Sequence, residues 1–189
     1  MADAYDRTRE RQGIQLNCRT LEMLTVAERK IGFPVTLTQG SYNNTVGPSA
    51  GTHDGGGAMD LRARDLTRSQ RRTVVEELRR VGFAAWLRTP DQGPWPIHIH
   101  AIAVGDRELS GAARKQVRAY KRGKNGLRSN LDDDGPRVDW TEYPQTLQED
   151  DVALSSDDKK FLRELVSNID RNVKVVGRNA TGEQVQDVV

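Results

Sequence analysis

Cysteine is almost missing from this 189-residue chain. Cys18 stands alone, so neither an internal disulfide framework nor a multi-cysteine zinc or iron–sulfur site can be assembled. Aromatic residues are scarce too, at 5%, and none interleave with the arginines as a stacking platform for single-stranded nucleic acid. No run approaches the ~18 apolar residues of a membrane span. No apolar stretch follows the N-terminus, so a signal peptide and Sec-type export are not expected. Internal repeats and low-complexity tracts are lacking. Histidine occurs only three times, as His53, His98 and His100.

The net charge is small, with 29 Lys and Arg against 27 Asp and Glu, but it is unevenly placed. Residues 1–128 hold 22 basic against 13 acidic side chains, a net of +9, and residues 129–189 hold 7 against 14, a net of −7. Such asymmetry suggests two functional regions. A folded body is expected over 1–127, an acidic linker over 128–153, and an amphipathic helix with a tail over 154–189. A basic body favours anionic neighbours: nucleic acid, a membrane surface or wall polymers. The plainer reading is a solvated surface of helix-borne arginines such as Arg71, Arg72, Arg79 and Arg80. Nucleic acid is not the expected partner.

Local signals outline the elements. Residues 1–16 are polar and Arg-rich and read as a partly ordered arm. Asn17 caps a helix to about Ile31, carrying Leu21, Leu24, Ala27 and Ile31 at helical spacing and ended by Gly32. Residues 34–38 read as a short strand, 39–57 as a long Gly- and Asn-rich loop, and 57–62 as a second strand. Thr67 caps a helix with Val74, Val75, Leu78 and Val81 inward, closed by Gly82. Strands follow at 83–87 and 97–104, separated by a turn-rich connection. Ser110 caps a third helix to about Lys121. This order lacks a βαβ rhythm, so the expected class is α+β: a small antiparallel sheet with flanking helices. Ser155 or Ser156 is expected to cap the last helix, whose apolar face suits a partner or self-association. Cys18, one residue after the first cap, reads as a small buried or half-exposed side chain, not a nucleophile.

The histidines carry the chemical signal. His98 and His100 lie two apart on a strand, so they share one face, with Cα atoms ~6.5 Å apart. Ile97, Ile99, Ala101 and Ala103 take the other face. Two imidazoles on a short apolar strand are costly without partners. His53 stands in the loop, and Asp60 stands seven residues later on a strand, with Gly55, Gly56 and Gly57 between them. The glycines let the chain fold back so that loop and strand aim at one point. Two histidines and a carboxylate, with a fourth position for water, form a catalytic zinc arrangement.

The pattern His53-x6-Asp60 in a Gly-rich segment, followed by His98-x-His100 near Trp95-Pro96, resembles the zinc D-alanyl-D-alanine carboxypeptidases. That family shares its fold with the hedgehog signalling domain and is similar to the small peptidase domains of phage endolysins. The resemblance covers Leu37 to Val104, about a third of the chain. It implies a hedgehog-type fold, Zn2+ held by His53, Asp60 and His100, and His98 beside the metal helping catalysis. It implies a peptidoglycan peptidase acting on stem or cross-link peptides. Such an enzyme would reach the wall after phage-dependent release or as a virion component. The chain departs from the family where a general-base carboxylate is usual, now Ile97. It also lacks the usual substrate-clamping arginine in Gln39-Gly40-Ser41-Tyr42-Asn43.

With that base missing, three groups are candidate proton acceptors: Asp91 on the turn before the strand, Asp54 beside the first ligand, and His98, favoured for proximity. Gln39, Ser41, Tyr42 and Trp95 are candidates to line the substrate groove. The alternative is a non-catalytic zinc module that binds wall or serves in a virion.

Overall fold

The computed structural model describes residues 3–144. The expected C-terminal helix and the end of the expected linker lie outside the described residues. Within them the order is β1 (Arg7–Thr8), β2 (Leu16–Asn17), α1 (Cys18–Ile31), β3 (Leu37–Gln39), β4 (Ala58–Arg62), α2 (Arg68–Val81), β5 (Phe83–Arg88), β6 (His98–Ala103) and α3 (Gly111–Lys121). This is an α+β arrangement with two antiparallel sheets, β1-β2 and β3-β4-β6-β5.

Local chemistry sets the helix ends. The Asn17 side chain accepts from Thr20 N–H, Thr67 and Gln70 form a reciprocal capping box, and Ser110 accepts from Ala113 N–H. Each bond satisfies a backbone donor that a first helical turn leaves free. Gly32 and Gly82 close α1 and α2 in the left-handed conformation, at φ 77° and 105°.

The register of β4, β6 and β5 divides the large sheet into two chemically different faces. Met59, Ala101 and Ala85 lie across from one another, as do Leu61, Ile99 and Leu87. Their face packs on α1 and α2 through Met23, Leu24, Ala27, Val74, Val75 and Leu78, forming the larger core. Burying such side chains contributes roughly 1.5–3 kcal/mol each. The opposite face carries the rows Ala58, Ile102, Ala84; Asp60, His100, Trp86; and Arg62, His98, Arg88. Leu109 and, from α3, Ala113, Val117 and Tyr120 cover its apolar end together with Trp86. The polar rows beyond form the site.

Three segments differ from expectation. The N-terminal arm is a structured clip: β1 pairs with β2, Leu16 is buried, and Arg11 holds both Glu28 and the Val35 carbonyl. That clip explains why the strand expected at 34–38 begins only at Leu37. Arg11 takes the Val35 oxygen, and Gln12 Oε1 accepts from Leu37 N–H at 2.8 Å.

Residues 128–144, expected as the start of a linker, run along the body as a strap. Asp133 is buried and pairs with the buried Arg79 at 2.7 Å. Arg79 also donates to the Ala85 and Pro136 carbonyls. Trp140 packs beside Tyr120, Tyr143 packs on the larger core, and the buried Arg19 donates to the Tyr143 and Pro144 carbonyls at 2.7 and 2.8 Å.

Candidate metal centre

β4 and β6 place Asp60 directly opposite His100, so a carboxylate and an imidazole share one row of one face. The Gly-rich loop brings His53 to the same point. Backbone bonds from Tyr42 N–H to Gly55 O and from Asn43 N–H to His53 O fold the loop on itself. Gly55 allows its close approach to the start of α3: a Cβ there would lie 2.2 Å from Glu108 O. One donor atom each of His53, Asp60 and His100 gathers within 4.8 Å. It is the metal-competent cluster found among the described residues.

The proton arrangement decides what this cluster can do. His53 Nδ1 lies 2.8 Å from Gly40 O, and His98 Nδ1 lies 2.8 Å from Pro96 O. A carbonyl only accepts, so each ring carries a proton on Nδ1 and turns Nε2 inward. Those Nε2 atoms lie 3.4 and 3.9 Å from Asp60 Oδ1. His100 is hemmed by two oxygens, Asp60 Oδ1 at 2.7 Å from Nδ1 and Gln116 Oε1 at 3.0 Å from Nε2. A neutral imidazole has one proton for these two acceptors. Burial keeps this ring neutral, pulling its pKa down to about 4 against the opposing pull of Asp60. Burial would raise the Asp60 carboxyl, but the hydrogen bonds it accepts from the His100 and His53 rings outweigh that and hold the group well below the usual carboxylate range. Three ring nitrogens therefore gather on one carboxylate oxygen, an arrangement that a cation completes when it replaces the inward protons. Outer nitrogens tied to carbonyl-type acceptors are the support metal-bound histidines need.

Two residues of the centre escape sequence reasoning. Gln116 reaches in from α3 to hold His100 Nε2. Arg88 is buried on β5, across from His98. Its Nη1 donates to Asn125 O, its guanidinium covers Trp86 at 4.8 Å, and its Nη2 has no partner among the described residues. Burial lowers its pKa to about 10, while Asp60 and Asp133 favour the charged form. No periodicity marks either residue, since Gln and Arg at such positions read as solvent-facing.

The other expected site residues are distributed unevenly. Gln39 lies across from Asp60 and bonds to Ser49. Ser41 is buried and donates to Ala58 O. Tyr42 donates its hydroxyl to Glu108 and lies under Arg7; burial first, then the Glu108 bond, pushes its pKa up. Both side chains are committed to the fold. Trp95 stands edge-on to His98, with ring centroids 6.3 Å apart. Asp91 and Asp54 are exposed, and neither belongs to the gathered cluster. Ile97 is half-buried against the larger core, on the side away from the site. Cys18 is half-buried, and burial followed by nearby acids raises its thiol pKa.

Two expected outcomes follow from this geometry. Gln116→Leu should weaken metal binding about 10–100-fold, the range for lost outer hydrogen bonds to a ligand. Gln116→Glu keeps an acceptor facing His100 Nε2 and should retain most of the affinity. Competition against a chelating dye measures both. In the metal-free protein, the unfolded His100 ring takes up a proton near 6.5 and the folded ring only near 4. Stability should therefore fall as pH drops through that window, by up to about 3 kcal/mol. The Asp60 contribution, from a lowered carboxylate, disappears only at more acidic pH. Urea unfolding at successive pH values should show the slope, and His100→Gln should flatten it.

No protein-family profile, curated protein or solved structure matches the chain.

Proposed function

We propose that the chain is a zinc peptidase of the hedgehog and D-alanyl-D-alanine carboxypeptidase type, cleaving peptidoglycan stem or cross-link peptides. One observation carries the reading: His53, Asp60 and His100 bring one ligand atom each within 4.8 Å of one another, with the far nitrogen of each ring held by an oxygen, Gly40 O for His53 and Gln116 Oε1 for His100. Two nitrogens and one carboxylate oxygen suit zinc and leave room for a further ligand. Zinc bound there supplies Lewis acidity and lowers the pKa of water toward ~7.

The chain's own residues divide the remaining work. His53, Asp60 and His100 hold the ion. His98 serves as proton acceptor: Pro96 O fixes its ring, and its Nε2 faces the Asp60 oxygen from the more open edge of the cluster. Arg88, buried on the same face, places positive charge behind the site where negative charge develops on a substrate oxygen. Trp95 walls the side beside His98. The basic body suits an anionic wall.

Digestion of purified peptidoglycan tests this. The zinc-loaded chain should release new peptide ends, chelation should stop the release, and added zinc should restore it. His98→Ala should slow cleavage by about a hundredfold or more with metal content unchanged. Zinc-loaded protein that generates no new ends over long digestion would sink the enzyme reading. A second reading, a non-catalytic zinc module of wall or virion, draws on Ile97, which packs into the core where the family has its base. Wall binding without new peptide ends would favour it.

A further inference from the structure

A second feature lies at the far end of α3, away from the metal-competent cluster. A cavity of about 200 Å³ opens there between the last turn of the helix and the strap, lined by Arg79, Tyr120, Lys121, Arg137, Val138 and Trp140 among others, none of them acidic. Three of the lining side chains are cations, and their situations differ. Arg79 is spent: Asp133 neutralises it, and the Ala85 and Pro136 carbonyls take its other donors. Lys121 and Arg137 form no ion pair among the described residues. Lys121 Nζ lies 5.8 Å from the Trp140 ring centroid. Arg137 reaches the Asp133 and Gly123 carbonyls through Nη2, at 3.2 and 3.5 Å. Lys121 and Arg137 thus face one cavity, neither of them held in an ion pair among the described residues.

The helix side of the cavity adds positive field, while on the strap Asp132 pairs with Lys124 and Asp133 with Arg79. From Leu109 to Leu131 the chain carries seven Lys and Arg and no Asp or Glu. Arg114, Lys115, Arg118, Lys121 and Arg122 are all exposed along α3. A helix C-terminus ordinarily repels anions through its free carbonyls. Here the Ala119 and Tyr120 carbonyls accept from Arg122, Gly123 and Lys124 N–H, which blunts that repulsion.

We propose that this cavity binds a phosphate group. Lys121 and Arg137 supply charge and donors, and the edge formed by Trp140 and Val138 faces the carbon next to the phosphate. The exposed cations of α3 draw anions toward it. The site is independent of the metal centre and of the reaction proposed for it.

Calorimetric titration of the full chain with inorganic phosphate tests the assignment, at an ionic strength of about 0.05 M so that screening stays weak. Saturable binding at about 1 mM or tighter is expected. Lys121→Gln combined with Arg137→Gln should weaken it about tenfold or more, with metal content and melting temperature unchanged. Both side chains are exposed, so the variant tests binding, not folding. Competition by a poly(glycerol phosphate) oligomer would mark a wall polymer as the source of the phosphate. Competition by a nucleoside monophosphate alone would mark a free metabolite, and either result supports the site. Absence of saturation, or equal binding by the double variant, overturns it.

Discussion

Asp60→Ala is expected to take up no metal, where the wild type is expected to take up one zinc per chain. Asp60 is the hub of the centre: its Oδ1 is the atom that His53 Nε2, His98 Nε2 and His100 Nδ1 all face. Removing it takes away a ligand and also the negative charge that makes a divalent ion welcome in a partly buried site. The loss in affinity should exceed about a hundredfold, the upper end for changes that touch only the supporting shell. Asp60→Asn should fall between the two, since an amide oxygen keeps a donor atom but not the charge. Elemental analysis of the three proteins, before and after incubation with excess zinc, reads this directly. A wild-type chain that stays metal-free after loading would reduce the cluster to a hydrogen-bonded feature of the core.

Asp133→Ala should produce the largest loss of stability. It strands the Arg79 guanidinium, about 1% exposed, beside a side chain that no longer balances it. Breaking a buried pair from one side costs about 3–5 kcal/mol, which in a body of this size lowers the melting temperature by about 10–15 °C. The double variant Arg79→Met with Asp133→Leu should recover much of that loss, because it leaves neither charge uncompensated. Melting curves of the two single variants and the double variant separate these outcomes. Wild-type stability in Asp133→Ala would mean that the strap is not held through this pair.

These two residues show where the sequence was readable and where it was not. Asp60 was legible because its signal is local: a strand of alternating character, a run of glycines and a histidine seven residues upstream. The caps Asn17, Thr67 and Ser110 were legible for the same reason, since each cap is chemistry between residues three apart. Asp133 was not. It sits in Asp132-Asp133-Asp134, where Asp132 and Asp134 are exposed, and composition alone reads all three as solvent-facing. What buries it is Arg79, 54 residues earlier on a helix rich in arginine. Gln116 and Arg88 follow the same logic, each given its role by a partner from another element. The pairing of β4 with β6 is likewise long-range, so His53, Asp60, His98 and His100 could be nominated together but not placed around one oxygen.

The grip of Arg19 on Tyr143 and Pro144 has a consequence for how the chain is made. Arg19 stands in the first turn of the first helix, yet its buried guanidinium donates to carbonyls 124 and 125 residues downstream. A nascent chain emerging from the ribosome must therefore carry α1 with this charge still hydrated until the strap arrives. Contacts of such sequence separation form late and slow folding. The body should thus become resistant to protease only once Pro144 has cleared the ribosome, although every residue of the metal cluster has been synthesised well before.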